Sequence, residues 1–349
     1  MEQVKLFKEF KSIENSYRTA YINKVIDEGQ SGGNWVVTNK IHGSNFSFIL
    51  TSDSINGAKR TQMLRWDENF NNWQKVYKKL EDNLKQLQAF LFKSETRPVG
   101  RKVLRVNLFG EIFGGTYPHP DVPESSEWKK VQKEVKYSPE NEFLAFDMFI
   151  VCSDPDGTIS SEWVSYANFK VLCTACGIPM VDELLVGTFT ECLNHPNDFQ
   201  DPTHKKYGLP SLENNITEGV VIRPYDEVKR FNNGEVITLK NKNDKSKEVK
   251  EPKQKFIVTD EIIAKNEEEK QTIKRYVTEQ RLRNVLSKIG DVTEKDFGKV
   301  LTALCTDVKD EFFKDYDVKE YGQIMGKWLS KLCAELIREN FLNIIDGNF

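Results

Sequence analysis

A chain of 349 residues accommodates one sizeable hydrophobic core and a second, smaller one. Hydrophobic residues at 38% and charged residues at 30% exclude extended disorder, and a net charge of −3 excludes a globally basic nucleic-acid binder, so any such surface must be a local patch. No segment approaches the run of about 18 apolar residues that spans a bilayer. Met1 to Lys11 shows neither a secretory signal nor an Arg-rich transit peptide, so no membrane contact and a cytoplasmic location are expected.

In chain order, Trp35 to Lys40 and Phe46 to Leu50 read as short strands joined by a tight turn at His42-Gly43. Phe70, Trp73, Tyr77, Leu80, Leu84, Leu87 and Leu91 then recur every three or four residues, the apolar face of a long amphipathic helix. Leu104 to Phe109, Phe143 to Val151, Gly219 to Ile222 and Val236 to Lys240 follow as strands rich in β-branched and aromatic residues. Because these strands are far apart in sequence, they must pair non-locally into one α+β domain. From Lys240 to Lys255 lysines outnumber acids and a proline stands at 252, the composition of a solvated basic linker. Beyond it, Thr293 with Asp296 resembles a helix-start cap. Phe297, Val300, Leu301, Leu304 and Val308 share one helical face, and Ile324, Trp328, Leu332 and Leu336 repeat the pattern. The expected boundaries are residues 1–243, a linker at 244–257, and a small all-helical domain at 258–349.

The cysteines are scattered, and only Cys173 and Cys176 have C-x-x-C spacing, without the second pair a zinc site needs. Burial at a helix end, ahead of Gly177 and Pro179, is the expected role. Free thiols in this number suit a reducing compartment.

Three groups of residues carry chemistry. Lys40, in Lys40-Ile41-His42-Gly43-Ser44-Asn45-Phe46, stands at a strand end before a tight turn where Gly43 permits close approach of a ligand. A lysine attacks phosphorus only as the neutral amine, which desolvation or neighbouring cations favour. Lys240 and Lys242 lie on one face of a strand, with ammonium groups about 7 Å apart, a spacing able to grip a polyphosphate and to act on a nearby amine. Alone, that pair would equally serve as edge-strand protection. Glu111 in Phe109-Gly110-Glu111 and Glu218 in Glu218-Gly219-Val220-Val221-Ile222-Arg223 place carboxylates at strand ends, suited to ribose hydroxyls or a magnesium ion. Phe146-Asp147 offers an aromatic face for a base and a carboxylate to orient a cation.

Taken in order, with Lys59-Arg60 between the first and second groups, these segments resemble the ordered motifs of the covalent nucleotidyltransferases: DNA ligases, RNA ligases and mRNA capping enzymes. Lys-x-His-Gly-Ser-Asn-Phe is similar to the RNA ligase 2 family of phages, viruses and kinetoplastid editing ligases. The likeness extends from Phe10-Lys11-Ser12-Ile13-Glu14-Asn15 to Asn284–Gly290 and Lys295–Val300 in the tail.

The resemblance implies a nucleotidyltransferase (ATP-grasp-like ligase) domain with antiparallel sheets and helices, followed by a helical RNA-ligase domain. It implies an RNA ligase that uses ATP and magnesium, with manganese able to substitute, and passes through a lysyl-AMP intermediate. The implied substrate is a 3′-hydroxyl/5′-phosphate nick in double-stranded RNA or an RNA:DNA hybrid, and a monomer is expected. On this reading Lys40 is the nucleophile, His42 orients the turn and the phosphates, and Lys240 and Lys242 contact the phosphate. Asn39, Ile41, Asn45, Arg60, Glu111, Phe146 and Arg223 belong to the nucleotide site, Phe146 stacking on adenine and Glu111 contacting ribose. Glu218 is the metal-associated glutamate, with Glu111 as a second carboxylate. Asn39 departs from an acid common in relatives, and Arg223 stands where some use lysine. Arg281, Arg283, Lys288, Lys295 and Lys299 are candidates for a phosphate-tracking surface in the tail. The alternatives are a non-catalytic binding module on the same fold, and a DNA ligase or GTP-using capping enzyme. The second is disfavoured by His42, where those enzymes carry Asp, and by a helical tail in place of an OB-fold pattern.

Overall fold

The computed structural model describes residues 7–93, 100–124, 126–243, 259–289, 292–346 and 349. The chain divides into two compact units, Met1–Phe256 and Ile257–Phe349. The linker expected at 244–257 lies outside the described residues.

The first unit begins with β1 (Glu14–Asn15), α1 (Thr19–Asp27), β2 (Trp35–Asn39), β3 (Ser44–Leu50), β4 (Ile55–Lys59) and β5 (Gln62–Met63). There follow α2 (Trp73–Phe92), β6 (Lys102–Gly114), β7 (Asn141–Ser153), β8 (Ile159–Trp163), α3 (Tyr166–Ala175), β9 (Glu183–Gly187), α4 (Phe189–Leu193), β10 (Gly219–Pro224) and β11 (Leu239–Lys242). They form two sheets, one in the order β1-β11-β10-β2-β9 and the other β5-β4-β3-β6-β7-β8. Strands β1 and β11 pair in parallel, whereas the other pairings are antiparallel.

This arrangement changes the sequence reading of the Lys40 segment. Strands β2 and β3 are not partners across a hairpin. They belong to different sheets, so residues 40–43 carry the chain from one sheet to the other.

The apolar stripe forms α2 as its spacing dictates. Trp73, Val76, Leu84, Leu87 and Leu91 are buried against Phe46, Phe48, Leu108, Phe143 and Met148 of the larger sheet. The helix starts at Trp73 rather than at Phe70, because Asn71 and Asn72 adopt left-handed backbone angles (φ 51° and 55°) that asparagine tolerates better than most residues. Phe70 packs on the same core from outside the helix. The last strand begins at Leu239 instead of Val236, which is engaged in an isolated bridge with Arg230. Cys173 and Cys176 are buried at the end of α3, and no cluster of metal-ligating side chains occurs among the described residues.

The second unit contains α5 (Asp260–Lys274), α6 (Glu279–Ile289), α7 (Phe297–Asp315) and α8 (Val318–Ile345). Thr293 and Asp296 form the reciprocal capping box in a short 3-10 turn that leads into α7. Val300, Leu304, Val308 and Phe312 of α7 are buried against Met325, Trp328 and Leu332 of α8. No helix among the described residues is long and apolar enough to cross a membrane.

Leu304 is fully buried and Leu342 is 76% exposed, so the two helices supply a paired test. Leu304→Ala is expected to destabilise this unit by about 2–5 kcal/mol, a lost transfer term plus a cavity. Leu342→Ala should stay within about 0.5 kcal/mol of wild type. Urea unfolding followed by circular dichroism reads both, and equal effects would contradict the packing described.

Candidate active site

Backbone contacts hold the crossing between the sheets. The Asn39 N–H donates to the Asp182 carbonyl at 2.8 Å, and the Lys40 N–H donates to the Gly219 carbonyl at 3.0 Å. The His42 N–H donates to Tyr137 Oη at 2.8 Å, and the Gly43 carbonyl accepts from Gln132 Nε2 at 2.8 Å. A Cβ added to Gly43 would sit 2.3 Å from the Ile112 carbonyl oxygen and 2.7 Å from Glu111 Cγ. The absent side chain therefore lets the turn lie directly on β6, rather than making room for a ligand as the sequence suggested.

Lys40 faces Glu218. Its Nζ lies 2.5 Å from Glu218 Oε2, while Lys242 Nζ lies 3.1 Å from Glu218 Oε1. The Glu218 carboxylate is buried, so one anion in a poorly solvated position accepts from two ammonium groups. The sequence expectation set the strand lysines directly around the Lys40 amine; the structure interposes a carboxylate. Gly219 makes the arrangement possible, because it pairs with Lys242 across the sheet and a Cβ there would lie 2.2 Å from the Asn241 carbonyl oxygen. Lys240 and Lys242, two apart on β11, both reach a cavity of about 280 Å³ that Lys40 also lines.

The opposite wall comes from the other sheet. Asn45 of β3 sits in register with Glu111 of β6, and Arg60 follows the end of β4; all three line the cavity. Burial pushes the Glu111 carboxyl up to about 7 and nearby Glu218 adds to the effect, while Lys40 and Arg60 oppose it.

Phe146 and Asp147 are consecutive yet both line the cavity, which a regular strand forbids. The register explains it. Phe109 pairs with Asp147 and Gly110 with Ala145, leaving Phe146 as the extra residue of a β-bulge. The Phe146 ring is backed by Phe10 edge-on at 5.0 Å. Asp147 accepts from Arg223 Nη2 at 3.0 Å, and Arg223 Nη1 donates to the Phe146 carbonyl at 3.1 Å. Arg223 thus ties β10 to the bulge, and breaking a buried pair of this kind typically costs about 3–5 kcal/mol. Burial raises the Asp147 carboxyl above its ordinary range, with Arg223 opposing.

Two expected residues stand differently. Asn39 borders the cavity, but its side-chain amide donates to Asp201 Oδ2 at 2.8 Å and Thr203 Oγ1 at 3.2 Å, and its carbonyl accepts from Thr217 Oγ1 at 2.6 Å. Both amide protons are spent inside the fold, so this side chain knits together the residues preceding Lys40 and Glu218. It is not turned to a nucleotide. His42 lies outside the cavity lining, its Nδ1 3.6 Å from Glu134 Oε2. Ile41 lines the cavity and is otherwise buried among Phe113, Tyr137 and Val181.

Sequence reasoning assigned no role to Phe10–Ile13, Thr38, Thr238 or Asp201, which the fold brings to the cavity or beneath it. Residues 10–13 arrive because β1 pairs with β11, and a two-residue strand leaves no periodic trace. Of the carboxylates at the site, Glu111 and Asp147 line the cavity and Glu218 adjoins it through Lys40 and Lys242. Asp147 is committed to Arg223, which leaves Glu111 and Glu218 for a divalent cation, with no cluster of three or more ligating side chains among the described residues. That donor set fits magnesium, which retains waters and uses one or two carboxylates with substrate phosphates.

Comparison with known proteins gives the family. Residues 33–242 match the family model described as RNA ligase, and residues 262–339 match that described as T4 RNA ligase 2 C-terminal. The chain is 28% identical to RNA-editing ligase 1, mitochondrial, of Trypanosoma brucei brucei, over 85% of this chain and 73% of the relative. It is 26% identical to RNA-editing ligase 2, mitochondrial, of the same organism (strain 927/4 GUTat10.1), over 89% of this chain and 84% of the relative. Among solved structures, an apo mutant of a Naegleria gruberi RNA ligase aligns with a TM-score of 0.45 at 16% identity, over 69% of this chain and 57% of that one. The same organism's RNA ligase with PPi aligns at 0.42 and 17% identity. With the first family model spanning more than half of its length, the chain belongs to the RNA ligase family.

Proposed function

We propose that this protein is an ATP-dependent RNA ligase that seals 3′-hydroxyl/5′-phosphate nicks in duplex RNA or RNA:DNA hybrids through a lysyl-AMP intermediate on Lys40. The observation that carries the reading is the Lys40–Glu218–Lys242 triad at a cavity shared by Lys240, Arg60, Glu111 and Phe146. It combines a nucleophile, a set of cations for a polyphosphate, and an aromatic face and a carboxylate for a nucleoside.

In the first step the neutral Lys40 amine attacks the α-phosphorus of ATP. A P–N bond forms, the bond to the bridging oxygen breaks, and pyrophosphate leaves. Lys240 and Lys242 offset charge on the phosphoryl oxygens. Glu218 receives the Lys40 proton by virtue of its position, since it already accepts from that amine. Phe146, re-aimed by its bulge, offers a stacking surface to adenine, and Glu111 accepts from a ribose hydroxyl. A magnesium or manganese ion held by Glu218 and Glu111 would add charge neutralisation at the phosphates. AMP then passes from Lys40 to an RNA 5′-phosphate, and the neighbouring 3′-hydroxyl displaces it. The names of the relatives support a role in RNA editing, and the family resemblance supports a duplex substrate and a role in repair.

Incubated with ATP labelled on the α-phosphate and magnesium, the wild-type protein should carry label through a denaturing gel, and Lys40→Ala should carry none. A folded, non-adenylylated wild type that stays unlabelled would contradict the proposal. GTP in place of ATP tests the capping alternative, and nicked RNA beside nicked DNA sets the substrate.

The raised Glu111 carboxyl gives a signed pH dependence. Burial disfavours its charge, so it is protonated below about 7 and ionised above. The ionised form is the stronger acceptor for a ribose hydroxyl. The preference for ATP over its 2′- or 3′-deoxy analogues, taken as a ratio of kcat/KM for adduct formation, should therefore rise about tenfold between about pH 6 and pH 8, the interval between charged and neutral hydrogen bonds. Glu111→Gln should flatten the profile, and a pH-independent ratio in the wild type would remove Glu111 from this role.

A further inference from the structure

The lysines of α2 and several cations of the helical unit are held in ion pairs. On α2, Lys75, Lys78, Lys79 and Lys85 are paired with Glu127, Glu81, Glu140 with Glu142, and Glu81, respectively. In the helical unit, Arg281, Arg283 and Lys288, expected to track phosphates, are likewise engaged with Asp307, Glu279 and Asp307, whereas Lys295 and Lys299 of the same expected set have no carboxylate at ion-pair distance among the described residues. The segment from Trp128 to Tyr137 is different. It carries Lys129, Lys130, Lys133 and Lys136 against the single acid Glu134, whose carboxylate faces His42 at 3.6 Å. Among the described residues none of these four lysines has a carboxylate at ion-pair distance. Three are exposed and Lys136 is half-buried. Burial, and next the Lys130 ammonium, press the Lys136 amine below the ordinary lysine range, with the Glu134 carboxylate opposing.

This charge is fixed in place. Asn141 Nδ2 donates to the Lys129 carbonyl at 2.7 Å, and the Val131 N–H donates to the Gly114 carbonyl at 3.1 Å. Asn215 accepts from the Lys136 N–H at 2.8 Å and donates to the Lys136 carbonyl at 2.7 Å. Two further bonds tie the segment to the nucleophile turn itself: Gln132 Nε2 to the Gly43 carbonyl, and the His42 N–H to Tyr137 Oη. None of the four lysines lines the Lys40 cavity. Lys136 Nζ donates to the Lys133 carbonyl, and a nucleotide in that cavity leaves the ammonium groups of Lys129, Lys130 and Lys133 unmet, whereas a continuous polyanion entering beside the turn would meet them in succession.

We infer that Lys129, Lys130, Lys133 and Lys136 form a landing for the phosphodiester backbone of the RNA, rigidly mounted beside the nucleophile turn and outside the nucleotide cavity. The inference rests on the ligase reading for the identity of the polyanion. Like charges held together on a fixed backbone repel one another, and an arriving phosphate chain relieves that repulsion while releasing its own counterions. RNA is favoured over an acidic protein because the segment is bonded directly to the turn where an RNA 5′-phosphate must reach Lys40.

The test is Lys130→Ala/Lys133→Ala in the full chain, beside Lys78→Ala/Lys85→Ala, which removes the same charge from α2. Three quantities are read: adduct formation with ATP, the KM for nicked duplex RNA, and the slope of log(kcat/KM) against log[salt]. The loop variant should form the adduct at the wild-type rate, raise the RNA KM about tenfold, and lower the magnitude of the salt slope by roughly 1.8 for two lost duplex phosphate contacts. The α2 variant should leave all three unchanged. An unchanged KM and slope in the loop variant, an equal effect in the α2 variant, or competition by poly-glutamate as effective as that by RNA of equal charge would each overturn the landing. The ligase reading fails separately, through absence of the wild-type adduct. Lysine-dependent RNA binding by gel shift would then still support the landing.

Discussion

One buried carboxylate between two ammonium groups organises this protein. Glu218 accepts from both Lys40 and Lys242, and each of the three enters on a different part of the chain. A charge removed from water persists only where opposite charges and hydrogen bonds replace the lost hydration. The triad meets that condition and retains an excess of positive charge. With Lys240 and Arg60 on the same cavity, the excess makes the site receptive to a polyphosphate before any ligand arrives. The carboxylate also holds the Lys40 amine in one place.

The sheets make the triad possible. A hairpin at residues 40–43 would have left Lys40 on the rim of a single sheet. The crossing from the five-stranded to the six-stranded sheet instead sets it between the two, with Lys240 and Lys242 on one wall and Asn45, Glu111 and Phe146 on the other. Local departures from regularity then tune the walls. The bulge at Phe146 delivers an aromatic ring and a carboxylate from adjacent positions, and Arg223 locks it. Gly43 and Gly219 let backbones approach where a side chain would block them.

Much of this was legible along the chain, for identifiable reasons. Periodicity exposed α2, α7 and α8, because helices are local and their apolar faces recur at a fixed interval. The Thr293–Asp296 cap was visible because both partners lie within one turn. The chemical residues were visible as an ordered set whose spacing survives in sequence. What stayed hidden was spatial. Nothing in residues 143–151 marks Phe146 as the extra residue of a bulge, since bulges depend on the partner strand. The carboxylate between Lys40 and Lys242 depends on side chains that meet only after folding. Asn39 could be named, but its commitment to Asp201, Thr203 and Thr217 rests on a loop without periodicity. The lysines of the 128–137 segment looked like ordinary surface charge until the want of a carboxylate at ion-pair distance, among the described residues, set them apart from those of α2.

The parallel pairing of β1 with β11 bears on how the protein is made. β1 sits at the end of its sheet, and β11 is its single neighbour there. The first strand of the unit to leave the ribosome must therefore wait for the last, with its hydrogen-bonding edge unpaired throughout translation of nearly the entire unit. Contacts of such sequence separation form late in folding. Until they do, a nascent chain lacks Lys240 and Lys242 and leaves residues 10–13 away from the cavity. The cavity is consequently completed only with the domain, and partial translation products carry Lys40 without the Lys242 that shares its carboxylate.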